Sequence, residues 1–340
     1  MTPSLDCVVV GQGLAGTTLA WQLRRRGLRV LVIDRESGHT SSRIAAGLIT
    51  PVTGKRLAKS WRWDELFPVA EAFYRSVEAE TGVRFFHLRP SLRLLASGAE
   101  RDELRKRSPN ILAGLVRHGE ANPDWFKAPF GGFEMSAAAR LDVCGYLDAS
   151  HQHFQRDGGY LVAEVEPGEV EATAGGVRLA RLGIEARSLV FCRGFTTDSD
   201  PWFGDIRFNA AKGEILTLRI PGLREDRVIH RGIWLAPAGF APTDGDIFRA
   251  GATYTRDPLD SEPTAAGRNE IETRLCEFLR LPFEVIDHHA AVRPVIDAGF
   301  PVVIRRAQFP QIAFFNGLGS KGSLLAPFFA AQLASLLAGS

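Results

Sequence analysis

At 340 residues, with 45% apolar side chains, 24% charged ones and a formal net charge of +2, the chain is long enough for roughly two domains and apolar enough for a large core. This composition argues against disorder, and so mild a charge argues against an extended nucleic-acid face, which shows as a concentrated basic surface. Cys7, Cys144, Cys192 and Cys276 stand far apart with no CxxC, which argues against a zinc knuckle or a disulfide framework and fits a reducing, cytoplasmic setting.

The opening stretch, LDCVVVGQGLAGTTLAWQLRRRGLRVLVID, organises the rest. Leu5 to Val10 is a β-branched apolar run suited to a strand buried on both faces, and it runs straight into Gly11, Gly13 and Gly16. Leu14, Thr18, Leu19 and Leu23 then recur at helical spacing as far as Arg26, with Gly27 at the stop position. A second strand, Arg29 to Ile33, ends at Asp34. In such a unit Gly11 permits the tight turn, Gly13 lets the backbone approach a pyrophosphate, and Gly16 allows the helix to pack closely on the strand. The phosphates would sit on the helix N-terminus opened by Leu14 and Ala15, and Asp34 would take the ribose hydroxyls. The pattern specifies a dinucleotide and leaves NAD or FAD open. The first core strand starts so early that no leader peptide is expected before it.

Beyond Asp34 a loop rich in Ser, Thr and Gly includes Ser42, Ala46 and Gly47, small enough for a flat ring to lie against the backbone. The pattern then predicts a helix over Asp64 to Thr81 and strands at Val83 to His87 and Ser91 to Leu95. A helix through Glu100 to Arg107 follows, and an irregular segment from Pro109 to Met135 reads as an insertion covering something. Val143 to Arg156 reads as a helix, Tyr160 to Val165 as a strand, and LVFCRG as a strand ending at Gly194. From Asn209 to Thr253 the chain is mostly β, and an amphipathic helix is expected over Glu262 to Leu279. Three strands, at Phe283 to Val292, Val302 to Ile304 and Ile312 to Phe315, lead to NGLGSKGS. The apolar stretch Ser323 to Gly339 is short and interrupted by Pro327 and Gln332, so it reads as a core helix, regular from about Leu324, and not as a membrane span.

Several of these stretches together resemble the D-amino-acid oxidase-like superfamily of FAD enzymes, the group that includes glycine and sarcosine oxidases. They are the fingerprint ending VIDRE, SSRIAAGLITP, KGEILTL at Lys212 to Leu218, AAVRPVIDAGFPVVI at Ala290 to Ile304 and FFNGLGSKGSLLAP at Phe314 to Pro327. GATYTR near Gly251 and GLGSKG look most like the flavin domain of a bifunctional tRNA-modifying oxidase. The resemblance implies an α/β fold: a GR2-like, Rossmann-type FAD-binding domain with a β-rich antiparallel-sheet substrate domain. Residues 1–80, 140–205 and 286–340 would form the first, discontinuously, and residues 81–139 and 206–285 the second.

The same resemblance places FAD over Gly11, Gly13, Gly16, Asp34 and Arg35, with Ser42 near the pyrophosphate and the Val165 backbone near the adenine. Ala46 and Gly47 would lie beside the isoalloxazine ring, with Gly194, Gly317, Gly319, Ser320, Lys321, Gly322 and Ser323 completing the set. A glycine loop entering a helix suits the pyrimidine edge, where negative charge develops on reduction, and Lys321 would add a full charge there. Arg293 matches the family's carboxylate-binding arginine, a planar fork suited to bidentate recognition. Trp234 stands where glycine-oxidase-like sequences carry a hydroxylated aromatic residue, and Tyr254 is a second pocket candidate; an indole accepts no hydrogen bond, which counts against a very small amino acid. The implied reaction is oxidation of a C–N bond of a small-molecule amine or amino acid by hydride transfer to flavin N5, with oxygen or another electron acceptor. A tRNA wobble-uridine carboxymethylaminomethyl group is the alternative substrate, and a flavin-binding protein without turnover a third reading. No histidine and carboxylate spacing suggests a metal site.

Overall fold

The computed structural model describes residues 5–196, 200–240, 245–297 and 299–339; Ala298, inside one of the quoted motifs, lies outside them. The first strand, Leu5–Val10, pairs in parallel with Val30–Asp34 on one side and Ile184–Phe191 on the other. Tyr160–Val162 extends the sheet beyond Val30–Asp34, and Phe309–Asn316 extends it beyond Ile184–Phe191, both in parallel. Head, middle and tail of the chain thus interleave in the parallel part of one eight-stranded sheet, to which Val170–Thr173, Gly176–Leu179 and Val302–Arg306 add antiparallel strands. Such a sheet needs apolar residues on both faces. Accordingly Cys7 and Val9 enter one core cluster and Val8 and Val10 another.

The first cluster is roofed by the helices Leu14–Arg24, Trp63–Thr81, Val143–Arg156 and Gly322–Ala338. The first helix ends two residues earlier than the periodicity predicts, and Gly27 leaves it at φ +80°. The span Gly319–Ala338 is, among the described residues, long and apolar enough to cross a membrane, with mean hydropathy 1.3. Its Leu324, Ala326, Ala330, Leu333 and Ala334 are buried in the core shared with the first helix, which accounts for that apolarity.

The second large sheet has eight strands in the order Glu284–Arg293, Ala211–Arg219, Ile247–Gly251, Ile233–Pro237, Val228–Arg231, Ser91–Leu94, Gly132–Met135, Arg117–His118. All neighbours are antiparallel except Val228–Arg231 with Ser91–Leu94. One face carries Leu216, Leu218, Leu235 and Phe248, packed under the helix Ala265–Cys276 and under Phe126. The segment expected to cover something therefore covers this core, with the Phe126 ring 6.4 Å from that of Phe278. The opposite face, including Ile215 and Ala291, meets Ile44 from the loop after the second parallel strand.

Two expectations shift. Glu284–Arg293 pairs along its length with Ala211–Arg219, so the boundary drawn at residue 286 moves beyond Arg293. The last helix begins at Gly322, not near Leu324, and contains Pro327. Proline lacks the N–H that the carbonyl four residues earlier would receive. That carbonyl, of Ser323, accepts instead the hydroxyl of Tyr74 at 3.0 Å. Tyr74 is fully buried, and burial holds its hydroxyl protonated far above its ordinary range.

Tyr74→Phe should therefore orphan a buried carbonyl and cost about 1–3 kcal/mol in urea unfolding. Adding Pro327→Ala, which restores the intrahelical donor, should shrink that cost in a double-mutant cycle.

Candidate active site

The glycine turn is built as only glycine allows. Gly11 has φ +106°, and a Cβ there would stand 2.5 Å from the Cys192 carbonyl oxygen. A Cβ on Gly16 would stand 1.8 Å from the Gly11 carbonyl oxygen, so the helix lies directly on the turn. Gly13, at the N-cap, gives the first turn no side-chain acceptor. The Leu14 N–H donates to Ser42 Oγ at 3.1 Å, which brings the serine of the following loop onto the helix N-terminus. Asp34 accepts the Gln12 N–H at 2.6 Å and the Glu36 N–H at 2.7 Å, one on each oxygen. A carboxylate has about four acceptor positions, so roughly two remain. Arg35 sits at the rim, paired with Glu164 at 3.1 Å.

The tail reaches this turn. Buried Asn316 ends its strand by donating Nδ2 to the Gly194 carbonyl at 2.7 Å while its Oδ1 accepts the Gly317 N–H at 2.8 Å. The Gly319 N–H donates to the Pro294 carbonyl at 3.1 Å, which ties the glycine loop to the residue after Arg293. A Cβ on Gly322 would lie 3.0 Å from Leu14 Cδ1, so the two ends of the chain touch.

Between the two large sheets runs a cavity of about 830 Å³. Gly11, Gly13, Leu14, Ala15, Asp34, Arg35 and Ser42 line one end, with Val165 and Gly194 beside them. Ala46 and Gly47 line its middle, where Gly47 has φ +70° and a Cβ would meet the Leu141 carbonyl oxygen at 1.8 Å. Gly319, Ser320, Gly322 and Ser323 line the tail side, and Trp234, Tyr254 and Arg293 the face given by the antiparallel sheet. Three expected residues do not line it. Gly16 is spent on helix packing, and Gly317, at φ +84°, backs onto Ile296. Lys321 itself is not a lining residue, but its Nζ stands 3.5 Å from Oγ1 of Thr53, which is, and burial pushes its pKa down.

Arg293 is largely buried, and burial lowers its pKa from the ordinary arginine range. Its guanidinium lies over Gly213, where a Cβ would stand 2.0 Å from Nη2, and Nη1 donates to the Thr253 carbonyl at 3.2 Å. No carboxylate among the described residues forms an ion pair with it. The half-exposed Tyr254 ring lies 5.7 Å from its Cζ. Trp234 packs beside Ile44, Ile215 and Ala291.

The sequence reading missed three residues that shape the cleft. Arg140, 2% exposed, donates Nε to the Ala46 carbonyl at 3.1 Å and its terminal nitrogens to the carbonyls of Pro237 and Ala238. Arg249 donates to the carbonyls of Ile44, at 2.5 Å, and Ala45, at 3.5 Å. His230 lines the cavity, with a buried Nε2 that has no partner among the described residues. Only His230 left a signal, the alternation of VIHRGIWLAP, which puts it on the same face as Trp234 across the hairpin.

A family model described as FAD dependent oxidoreductase, DAO, matches residues 6–336. The chain belongs to this family. Glycine oxidase of Bacillus licheniformis is 24% identical over 100% of this chain and 94% of its own length. The tRNA 5-methylaminomethyl-2-thiouridine biosynthesis bifunctional protein of Burkholderia pseudomallei (strain 1106a) is 26% identical over 81% of this chain and 43% of its own length. Among solved structures, glycine oxidase from Bacillus cereus ATCC 14579 superposes with a TM-score of 0.82 at 17% identity, covering 99% of this chain and 95% of its own. Iminodiacetate oxidase from Chelativorans sp. BNC1 gives 0.77 at 20% identity, covering 98% and 96%. The protein is an FAD-dependent oxidoreductase with the fold of the amino-acid oxidases. The cleft fits the cofactor on its own geometry: an uncapped helix N-terminus, an acid with spare acceptor positions and a glycine-floored middle within one cavity.

Gly16→Ala, whose Cβ has no room against the Gly11 carbonyl, should lower FAD retention at least roughly tenfold, equivalent to about 1.4 kcal/mol. The flavin-to-protein absorbance ratio of the purified variant, with circular dichroism to check the fold, measures this.

Proposed function

We propose that this enzyme oxidises the C–N bond of an amino acid or secondary amine bearing a carboxylate, which Arg293 holds. The observation that carries the reading is a buried guanidinium facing the cleft with one backbone carbonyl for its five donors and no paired carboxylate among the described residues. A buried charge left so is costly unless a ligand completes it. A bidentate carboxylate is its natural partner.

In this reading residues 1–80, 140–205 and 294–340 bind the cofactor, and the antiparallel sheet holds the substrate. The turn at Gly11 and Gly13, the helix opened by Leu14 and Ala15, and Ser42 would hold the diphosphate, with Gly16 keeping the helix close. Asp34 would hold the ribose hydroxyls, with Arg35, Val165 and Gly194 around the adenosine. Ala46 and Gly47 would floor the ring, and Gly319, Ser320, Gly322 and Ser323 would meet its pyrimidine edge at a helix N-terminus, where the positive dipole end favours anionic character. When bound, FAD accepts a hydride equivalent from the substrate carbon.

The chain's own part is positioning. Arg293 fixes the carboxylate, so the carbon beside the amine is presented in one orientation, the kind of preorganisation that lowers a barrier through lost freedom already spent. Trp234 walls the cleft against water, and Tyr254 stands over the arginine at the mouth. No side chain need take a proton if the amine enters unprotonated, and oxygen or another acceptor removes the electrons. Four free cysteines, two of them fully buried, suit a reducing compartment, the cytoplasm in this reading. A carboxymethylaminomethyl group on a tRNA base presents the same carboxylate and secondary amine, and the 26% identity with the bifunctional tRNA protein keeps it as a second reading. Salt-sensitive tRNA binding that perturbs the flavin spectrum would favour it.

Arg293→Gln should lower kcat/KM for carboxylate-bearing amines by about 30- to 4,000-fold, the equivalent of about 2–5 kcal/mol. Amines of the same size without a carboxylate should lose far less. Anaerobic flavin reduction across such pairs measures the difference, and equal losses for both would remove the assignment.

A further inference from the structure

The antiparallel sheet shows how far the cleft extends from Arg293. Residues paired across neighbouring strands place their side chains on the same face. His230 pairs with Trp234, Trp234 with Gly251, and Gly251 with Ile215. Two residues along the same strand, Gly213 pairs with Ala291, and Ala211 with Arg293. All of these face the cavity side, where the Arg293 guanidinium lies over Gly213. The strand bearing His230 is three strand spacings from the strand bearing Gly213, about 14 Å, and Gly213 lies two residues, about 7 Å, along its strand from the His230 row, so the two positions are about 16 Å apart. Trp234 lies between them.

The far end is polar without a net charge. Arg93, paired in register with His230, also lines the cavity, and its guanidinium is neutralised by Glu100 at 2.9 Å. Burial, with the positive charge of Arg93 second, pushes the His230 pKa down to about 4, so its imidazole is neutral at physiological pH. Its Nε2 is buried and has no partner among the described residues, so a ligand in the cavity that the ring lines would meet the imidazole through Nδ1.

We propose that His230 is a specificity-determining residue that hydrogen-bonds a neutral polar group at the far end of an N-substituted amino acid whose carboxylate lies on Arg293. This rests on the function proposed above and names the substrate class within it. With a hydrogen bond allowed at each end, the two recognised groups stand roughly 10 Å apart, which excludes glycine itself as the substrate for which the cleft is shaped. Trp234 supplies the flat apolar floor over which the connecting chain passes.

The test compares N-substituted glycines whose tails end in a carboxamide with isosteric tails ending in an isopropyl group, at connecting lengths from one to four methylenes. In the FAD-loaded enzyme the carboxamide-to-isopropyl ratio of kcat/KM should peak at one tail length at about tenfold or more, carried mainly by KM. In His230→Phe the ratio should fall to about one at that length, and His230→Gln, which keeps a polar end, should restore part of it. A ratio that stays near one at every length in the wild type, or that is the same in His230→Phe, overturns the inference while leaving Arg293 in place. Failure to reduce the flavin with any N-substituted glycine also overturns the inference, and failure with every carboxylate-bearing amine, primary or secondary, overturns the underlying function as well.

Discussion

Two buried guanidinium groups without a carboxylate partner among the described residues hold the cleft in shape. Arg140 and Arg249 reach from opposite sides onto the carbonyls of three consecutive residues, Ile44, Ala45 and Ala46, in the loop that floors the middle of the cavity. Burial, with Arg249 nearby, pushes the Arg140 pKa down to about 9, and burial lowers that of Arg249, yet both remain cations at neutral pH. A charge in that position costs several kcal/mol in the absence of compensating dipoles. The carbonyls supply them only if the loop keeps one conformation. Because Arg140 also binds the carbonyls of Pro237 and Ala238 at the end of a substrate-sheet strand, the loop and that sheet are held in one arrangement. Gly47 then follows at φ +70° against the Leu141 carbonyl, with no freedom to lift.

Set beside these two, Arg293 differs in one respect. Arg140 directs Nε and both terminal nitrogens to carbonyls and Arg249 directs both terminal nitrogens to them, whereas Arg293 has a single carbonyl contact, on Thr253. All three are largely buried, and burial lowers all three pKa values. Two guanidinium groups are thus satisfied by the fold, and the third is left with donors directed at the cavity. That asymmetry, more than burial or pKa, is what supports the binding role proposed for Arg293.

The glycine turn, the first helix and Asp34 were legible in the sequence because their constraints are local. A strand that runs into Gly11, Gly13 and Gly16 has few other folds open to it, and the acid at the end of the second strand sits at a fixed distance along the chain. Arg293 and Trp234 were legible through resemblance, which carries the outcome of tertiary packing in the motif. What the sequence concealed depends on partners far along the chain. Pro327 forbids a helix from Gly322 only if no donor replaces its missing N–H, and the replacement, Tyr74, lies 249 residues away. Lys321 sits in the expected loop, but it is not a lining residue, and its side chain instead reaches Thr53 of the cavity wall from behind the tight turn Gly319–Lys321, a direction that spacing does not encode. Arg140 and Arg249 read as ordinary surface charges until the carbonyls they bind are brought to them.

The order of strands explains why the site needs both ends of the chain. Ile184–Phe191 sits between Leu5–Val10 and Phe309–Asn316, and the three end together, Phe191 pairing with both Val10 and Phe314. Parallel strands that end in register put their C-terminal loops side by side, the place where such sheets bind ligands. Here those loops carry the Gly11 turn, Gly194 and the Gly317 to Gly322 segment, joined by Asn316, which bonds both Gly194 and Gly317. The sequence separation between the first and last strands makes this contact costly in loop-closure entropy, which the pairing and packing must offset. The glycine turn and its helix lie within the first thirty-four residues, but Ser42, on the helix N-terminus, and Val165 and Gly194 from the middle of the chain complete that end of the cavity. The opposite end, with Gly319, Ser320, Gly322 and Ser323, is complete only when the tail has docked, so under the proposed placement of FAD no single segment of the chain holds the cofactor.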